Sequence, residues 1–130
     1  MTYGTIDTKS RTLDLCQAGH PYAIYQQKGN CSKFVVDSGP PVGIITDVTY
    51  QSVRISYTPG DRLFLYSDGI TECESPDGVM FGTERLSGFV DANKDLEINE
   101  IIQNLDQTIC EWRQGNDFED DISMLILEIF

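Results

Sequence analysis

The sequence predicts a single α+β domain in which strands and helices pack in layers. Up to residue 67, runs of alternating apolar and polar residues are separated by turn residues, as in antiparallel strands. The apolar spacing then changes to that of helices, and the chain ends with the apolar run ISMLILEIF. Strands followed by two helices and one returning strand indicate a layered α+β architecture. At 130 residues the chain is long enough to bury a core of its own.

Two β-hairpins are expected in the first third of the chain. MTYGTIDT and RTLDLCQAG flank the polar turn Lys9-Ser10, and YAIYQQ and CSKFVV flank Lys28-Gly29-Asn30. The following segment, SGPPVGII, should interrupt regular structure because its two prolines lack a backbone donor and fix their own φ. Two further strands, QSVRISYT and RLFLYS, are then joined by the turn signal Pro59-Gly60-Asp61.

Helical spacing begins with Leu86, Phe89 and Val90, for which Thr83 is the expected N-cap. A longer amphipathic helix, with Gly115 at its C′ position, is predicted by apolar residues that recur at helical intervals: Ile98, Ile101, Ile102, Leu105, Ile109 and Trp112. We interpret this stripe, including the single tryptophan, as core packing against a sheet. The final run is apolar throughout, which favours a central strand.

The acidic residues are concentrated in the second half of the chain. Residues 1–60 carry five basic and four acidic side chains, whereas residues 61–130 carry four basic and seventeen acidic ones, and the net charge is -12. Such an acidic half repels a phosphate backbone, so nucleic acid is not expected as a partner. Most of these acids are interpreted as a solvated surface. The alternative is that a few converge on a divalent cation, which offsets their mutual repulsion.

Cysteine spacing and hydropathy bear on the expected location of the protein. Four cysteines lie far apart with no CxxC pair, which favours reduced thiols in the cytoplasm over a disulfide frame or a zinc site: Cys16, Cys31, Cys73 and Cys110. No apolar run approaches membrane-spanning length, and no basic-then-apolar leader opens the sequence. We therefore expect no membrane association.

Two acidic positions stand out by their place in the predicted strands. Asp68 stands at the carboxyl end of one strand, and Asp120 and Asp121 stand at the amino end of the last one. If these strands are antiparallel neighbours, the two ends lie at the same edge of the sheet, and Mg²⁺ or Mn²⁺ between the carboxylates would offset their repulsion. Gly69 would let the chain turn sharply and approach an ion or a phosphate closely. From the pattern alone, two solvated turns that contain aspartate are the alternative.

Five motifs occur along the chain in a fixed order: AGHP (18–21), PPVGI (40–44), PGDRLFLYSDGITE (59–72), DGVMFGTERL (77–86) and EDDISMLILEI (119–129). In this order and spacing the chain resembles SpoIIE-type bacterial phosphatases, which belong to the metal-dependent type-2C protein serine/threonine phosphatases. The resemblance runs from Met1 to Phe130, and five motifs in order are far more specific than any one alone. It favours the metal site over the solvated turns.

The resemblance implies a layered antiparallel β-sandwich flanked by helices, with a binuclear Mn²⁺ or Mg²⁺ centre at one end. In such enzymes metal-activated water attacks phosphoserine or phosphothreonine, and no phosphoenzyme forms. Carried over, Asp68 and Asp120 match metal-ligand positions, Asp121 is the neighbour of a ligand, and Gly69 matches a glycine whose carbonyl can complete a metal's shell. The segment ECESPDGVMFG resembles a flap-like connection near the active site, which would place Glu72 and Asp77 near the substrate.

The chain departs from the family's pattern at its amino end. The family's other metal aspartates lie upstream, in a Gly-Gly-Asp motif and a Gly-Asp-Val motif, and neither motif occurs here. Residues 1–130 are therefore expected to be the carboxyl-terminal portion of a catalytic domain, inactive by itself, within a parent polypeptide that is a phosphatase. Sheet edges left open in this way would be covered either by another chain or by the remainder of the parent polypeptide. Strand exchange between copies, which gives a homodimer, is one form of the first alternative.

His20, the only histidine, is a candidate general acid, but its neighbours Gly19 and Pro21 are turn formers, which favours a structural role in a turn. By resemblance, the substrate would be a phosphorylated regulatory protein, an anti-sigma-factor antagonist of the STAS type. An upstream receiver or sensor domain would be a further partner. The alternative from another class is a non-catalytic module that binds a phosphoprotein or a regulator. A calcium-binding domain is less favoured, because neither SPDGVMFG nor NDFEDD has the alternating ligands of an EF-hand loop.

Overall fold

Two four-stranded sheets form the centre of the fold, in a computed structural model that describes residues 1–35, 37–115 and 120–130. The strands of the first sheet are β1 (Thr2–Asp7), β2 (Thr12–Ala18), β5 (Ser38–Gly39) and β6 (Val53–Ser56). Those of the second sheet are β3 (Ile24–Gln26), β4 (Ser32–Phe34), β7 (Arg62–Tyr66) and β8 (Met124–Glu128). In the first sheet β2 pairs with the other three strands, and the second sheet has the order β4-β3-β7-β8.

Both expected hairpins are confirmed, and they lie in different sheets. Strand β1 pairs antiparallel with β2, and the carboxylate of Asp7 closes their turn by accepting hydrogen bonds from the backbone N–H groups of Lys9 and Ser10. Strand β3 pairs antiparallel with β4 across the turn at Lys28-Gly29-Asn30, where Gly29 has a φ of +77°. Short-range turn chemistry was therefore sufficient to identify both pairs.

Strands β6 and β7 adjoin the turn at residues 59–61 as expected, yet they do not pair with each other. Strand β6 pairs with β2 in the first sheet, whereas β7 lies between β3 and β8 in the second. The turn thus carries the chain from one sheet to the other. The proline-containing segment after β4 is irregular apart from the two residues of β5, which is consistent with the lost backbone donors of Pro40 and Pro41.

Three helices follow strand β7: α1 (Asp68–Thr71), α2 (Gly82–Ala92) and α3 (Ile98–Arg113). The expectation that Thr83 is the N-cap of α2 was wrong, because that position belongs to Phe81 and Thr83 lies inside the first turn. Phe81 is only 3% exposed, so its burial in the core fixes where the helix begins. None of the helices in the described part of the chain is long and apolar enough to span a membrane.

The long helix α3 forms as its apolar spacing predicts. Its buried residues are Ile101, Leu105 and Ile109, while Ile102 at the margin of the stripe is 45% exposed. Glu97 and Glu100 form a reciprocal capping box at the amino end. At the other end Gln114 is left-handed, and Gly115 follows at the C′ position with a φ of +96°.

The second sheet is the middle layer of the molecule. One of its faces, with Phe64 and Ile126, packs against the buried faces of α2 and α3. Its other face, with Tyr25 and Leu63, packs against the first sheet, which contributes residues such as Leu13. This confirms the predicted α+β fold in which a layered sandwich is flanked by helices. The pairs between the described strands are antiparallel, except that β2 pairs with the two residues of β5 in parallel.

The expectation that the last strand is central was wrong. Among the described strands β8 pairs with β7 alone and is the edge of its sheet. Ile126 packs against the helices, whereas Leu125 and Leu127 point to the other face and are 53% and 36% exposed. Strand β8 is apolar on both of its faces, but in this chain only the face that contains Ile126 is fully covered.

A buried carboxylate lies at the start of β7. Asp61 is 0% exposed, and its two oxygens accept hydrogen bonds from the hydroxyl of Tyr25, the backbone N–H and hydroxyl of Thr58, and the backbone N–H of Lys28. Burial alone would raise the pKa of Asp61, but these hydrogen bonds outweigh it and hold the pKa below its ordinary value. Asp61 thereby ties the sheet-switching turn to the β3–β4 hairpin.

Candidate metal centre

The strands that carry the two predicted acidic motifs are antiparallel neighbours. In the pairing of β7 with β8, Tyr66 lies opposite Met124, so the carboxyl end of β7 and the amino end of β8 meet at one edge of the second sheet. Asp68 follows β7 as the first residue of α1, and Asp120 and Asp121 precede β8. The expectation that these motifs share one edge is confirmed.

Gly69 lies directly against the backbone of the second acidic motif. A Cβ atom at this position would lie 2.5 Å from the carbonyl oxygen of Asp121 and 3.6 Å from the carbonyl carbon of Asp120. Only a residue without a side chain fits so close to a backbone carbonyl. The glycine is needed for this approach of two backbones, a reason different from the sharp turn that its sequence context suggested.

Ser67 joins the same two segments by hydrogen bonds. Its hydroxyl donates to the carbonyl of Asp121 at 2.9 Å and accepts the backbone N–H of Ser123 at 3.0 Å. The backbone N–H of Ser67 also donates to the carbonyl of Ser123 at 3.0 Å. Sequence reasoning missed this residue. Its position immediately before Asp68, in register with the start of β8, was the available signal.

The carboxylates at this edge face solvent. Asp68, Asp120 and Asp121 are all exposed, and one carboxylate oxygen of Asp120 accepts the backbone N–H of Asp121 at 2.7 Å. Their backbones are therefore fixed by Gly69 and Ser67 while their side-chain oxygens are accessible. This arrangement suits groups that hold an external cation rather than groups that stabilise the fold.

The other two predicted site residues lie on the segment that follows α1. Glu72 is exposed, and its backbone N–H caps α1 by donating to the carbonyl of Asp68 at 2.8 Å. Asp77 is exposed at the tip of a turn that is closed by hydrogen bonds between Ser75 and Val79. Their proximity to a substrate stays a prediction.

The donor atoms at this edge are right in kind for Mg²⁺ or Mn²⁺ but too few. Hard divalent cations prefer about six oxygen ligands, and the carboxylates among these ligands supply the negative charge that balances the cation. Across residues 1–35, 37–115 and 120–130, no group of three or more His, Cys, Asp or Glu side chains is placed to hold a metal ion. The motif residue Glu119 lies outside the described residues. The described residues therefore do not complete a metal shell, and the assignment of ligands stays a prediction.

A cavity of about 260 Å³ adjoins this edge, and His20, Tyr66, Ser67 and Ser123 are among its lining residues. The Nδ1–H group of His20 donates a hydrogen bond of 3.0 Å to the carbonyl of Pro21, as expected for a histidine in a turn. The hydroxyl of Tyr66 is buried without a hydrogen-bond partner among the described residues, and burial raises its pKa to about 12. The sequence had placed His20 in a turn without indicating that it lies beside the acidic edge.

Comparison with proteins of known structure identifies the class of fold. The chain superposes on the SiaA-PP2C domain of Pseudomonas aeruginosa with a TM-score of 0.81 and 20% identity, covering 99% of this chain and 51% of that one. It superposes on the phosphatase domain of SpoIIE from Bacillus subtilis, presoaked with Mn, with a TM-score of 0.76 and 23% identity, covering 99% of this chain and 55% of that one. The fold is that of a type-2C phosphatase domain.

The sequence model of the family named Stage II sporulation protein E (SpoIIE) matches residues 1–130, so the chain belongs to this family. The phosphoserine phosphatase RsbU of B. subtilis is 25% identical over 128 residues, which are 98% of this chain and 38% of that protein. Protein IcfG of Synechocystis is 28% identical over 123 residues, which are 95% of this chain and 19% of that protein. This chain thus spans well under half the length of these curated relatives.

Proposed function

We propose that this chain is the carboxyl-terminal portion of the catalytic domain of a metal-dependent protein serine/threonine phosphatase. The observation that carries the proposal is the contact of Asp68-Gly69 with Asp120-Asp121 at one sheet edge, in a chain that matches the SpoIIE family over its whole length. The relative RsbU is named a phosphoserine phosphatase, which supports the reaction class.

In this proposal Asp68 and Asp120 supply part of the carboxylate set of a binuclear Mn²⁺ or Mg²⁺ centre, and further ligands come from residues outside this chain. A bound centre of this kind supplies an activated water and a charge clamp for phosphoryl oxygens. The chain's own contribution is positional. Gly69 and Ser67 fix the two backbones, and the exposed carboxylates are accessible to a cation.

We infer that the substrate is a phosphoserine or phosphothreonine in a bacterial regulatory protein, of the kind that controls a sigma factor through a STAS-type antagonist. The name of the relative RsbU, a phosphoserine phosphatase, supports the phosphoserine part of this inference. The regulatory setting rests on the resemblance to the family described above. A receiver or sensor domain upstream in the parent polypeptide fits the share of the relatives' length that lies outside this chain.

Metal titration and phosphatase assays test this proposal together. We expect the 130-residue chain alone to bind Mn²⁺ weakly in calorimetry and to release no phosphate from phosphocasein. We expect a longer polypeptide that includes the family's upstream aspartates to do both. In that polypeptide Asp68→Asn and Asp120→Asn should each lower the rate by at least about a hundredfold, because a ligand charge is lost. The control Asp95→Asn removes the same charge from an exposed position and should leave the rate unchanged.

Manganese-dependent hydrolysis by the isolated chain would contradict the expectation that its metal site is incomplete. Equal rates for Asp68→Asn, Asp120→Asn and the Asp95→Asn control in the longer polypeptide would contradict the assignment of the ligands. Either result would require a different set of metal-binding residues.

A second candidate function is a non-catalytic module that binds a phosphoprotein or docks a regulator. It accounts equally well for the finding that no group of three metal-ligating side chains occurs in the described part of the chain. The two functions differ in whether the parent polypeptide releases phosphate from a phosphoprotein that it binds. A parent polypeptide that lacks upstream metal aspartates, and that binds phosphocasein without releasing phosphate, would be such a module.

A further inference from the structure

The segment from Cys73 to Phe81, here called the flap, forms a small closed turn. Its two ends are joined by a hydrogen bond from the backbone N–H of Phe81 to the carbonyl of Cys73 at 2.8 Å and by a β-bridge between Glu74 and Met80. The backbone N–H of Ser75 donates to the carbonyl of Val79 at 2.9 Å. The flap therefore has a defined backbone, although five of its residues in a row, from position 76 to position 80, are exposed.

Trp112, near the carboxyl end of α3, holds both sides of the flap. Its indole N–H lies 3.2 Å from the carbonyl of Cys73 and 3.2 Å from the carbonyl of Val79, so one donor is shared by two acceptors on opposite arms. The indole also meets the ring of Phe81 edge to face, with 5.7 Å between the centroids. These contacts join α3 to the flap at three points.

Arg85 of α2 completes the attachment from the other side. Its guanidinium lies 4.5 Å from the centroid of the Trp112 ring, in the geometry of a cation–π contact. It also donates hydrogen bonds to the carbonyls of Met80 at 3.2 Å and Phe81 at 2.9 Å. Core packing alone would not need these donors. Trp112 and Arg85 together satisfy four backbone carbonyls of the flap.

The flap lies close to the acidic edge along the chain. Helix α1 begins at Asp68 and its cap at Glu72 immediately precedes the flap, so the flap base is roughly 8 Å from Asp68 at the rise of a helix. Trp112 lies near the end of α3, and Asp120 follows it eight positions later in the sequence. Beyond its attachment the flap exposes Val79 and Met80, at 46% and 53%, next to Asp77. This surface is apolar enough to contact a protein.

We propose that Trp112 and Arg85 are positioning residues that hold the flap in one conformation, and that the held flap contributes to binding of a protein substrate beyond its phosphate. The part that concerns substrate rests on the proposed phosphatase function. A fixed flap presents Val79 and Met80 to a partner without an entropic cost of ordering the flap on binding. If the flap is no longer held by Trp112 and Arg85, the binding of a phosphoprotein should weaken more than the binding of a small phosphoester.

The attachment itself is tested on the chain without any assay of activity. Trp112→Phe keeps an aromatic ring for contact with Phe81 and Arg85 but removes the indole N–H donor. Arg85→Lys keeps the positive charge but removes the planar guanidinium group. Endoproteinase Glu-C, which cuts after glutamate, should cleave after Glu74 about tenfold faster in either variant, as the loss of such hydrogen bonds implies. The control Val90→Ala weakens the core of α2 at a residue that is 1% exposed and lies outside the flap. Cleavage no faster than in this control would overturn the proposal.

The effect on substrate is tested in the longer polypeptide with two probes, phosphocasein and p-nitrophenyl phosphate. For Trp112→Phe we expect KM for phosphocasein to rise about threefold to tenfold at unchanged kcat, and both constants for p-nitrophenyl phosphate to stay the same. An equal loss on both probes, matched by Val90→Ala, would mean that Trp112 acts only through stability and would overturn the proposal. If the unmodified polypeptide hydrolyses neither probe, the phosphatase function and the substrate role of the flap both fail, while the proteolysis still decides whether Trp112 holds the flap.

Discussion

Strand β7 has an aspartate near each of its ends, and the two lie in opposite environments. Asp61, before the strand, is buried, and its oxygens accept four hydrogen bonds from Tyr25, Thr58 and Lys28. Asp68, after the strand, is exposed, while the backbone next to it is held against Asp121. The same residue type thus serves stability at one end and is available to a ligand at the other.

The neighbours of the two aspartates repeat this contrast. Arg62, beside Asp61, donates to the carboxylate of Glu128 at 2.6 Å and to the carbonyls of Lys94 and Leu96, which joins β7 to β8 and to the connection between α2 and α3. At the Asp68 end the joining is done by backbone and by the hydroxyl of Ser67. A carboxylate with all its hydrogen bonds satisfied has no free lone pairs for a cation, so only the second end can form a metal site.

The largest expected effect is at Asp61. Asp61→Ala removes the acceptor of four hydrogen bonds and leaves buried donors on Tyr25, Thr58 and Lys28 unpaired, which should lower the free energy of unfolding by about 3 kcal/mol or more. Urea unfolding followed by the fluorescence of Trp112 measures this loss. Asp61→Asn keeps the shape and part of the accepting capacity, so it should lose less. A loss below about 1 kcal/mol for Asp61→Ala would contradict a structural role for this carboxylate.

The next effect is at Gly69. A methyl group in Gly69→Ala would lie 2.5 Å from the carbonyl oxygen of Asp121, so the two segments must separate, at a cost of about 2 kcal/mol. The matched control is Gly88→Ala in α2, where an added Cβ meets nothing within 4 Å and should stabilise the helix by about 0.5–1 kcal/mol. Effects of the same sign at both glycines would show that the backbones of the two acidic motifs are not in close contact.

Acid should remove part of the stability that Asp61 contributes. The folded-state pKa of Asp61 lies below its unfolded value, so its contribution to stability is fully present above the unfolded pKa and is lost as the pH falls through the folded pKa. This loss should be smaller than that of Asp61→Ala, because protonation leaves the side chain in place. The free energy of unfolding, measured from pH 7 downward, should fall less steeply in Asp61→Asn than in the unmodified chain. Parallel pH profiles would contradict this.

The smallest effect on stability is expected at the acidic edge. Because Asp68 is exposed, Asp68→Asn should change the free energy of unfolding by less than about 0.5 kcal/mol, and removal of one of several neighbouring negative charges can stabilise the chain slightly. The same urea titration that measures Asp61→Ala measures it. A loss as large as that of Asp61→Ala would erase the contrast between the two ends of β7 and would make Asp68 a structural residue.

The elements of the fold that sequence reasoning identified are those that depend on near neighbours. The turn at Lys28-Gly29-Asn30 and the spacing of Ile101, Leu105 and Ile109 each specify a hairpin or a helix within a short stretch of chain. The acidic motifs were also found in this way, because Asp68 and Asp120 stand at strand ends that only needed to be neighbours. Their role as ligands is still a prediction.

The sequence by itself determined the local elements, the layered α+β class and the acidic motifs at strand ends, because hydrophobic period and turn chemistry act over a few residues. Only the tertiary structure decided that β6 and β7 lie in different sheets, that β8 is an edge, and that the N-cap of α2 is Phe81 rather than Thr83. It also decided that Gly69 touches Asp121 and that Trp112 holds the flap. These outcomes depend on contacts between residues far apart in sequence, which form only when the whole core packs at once.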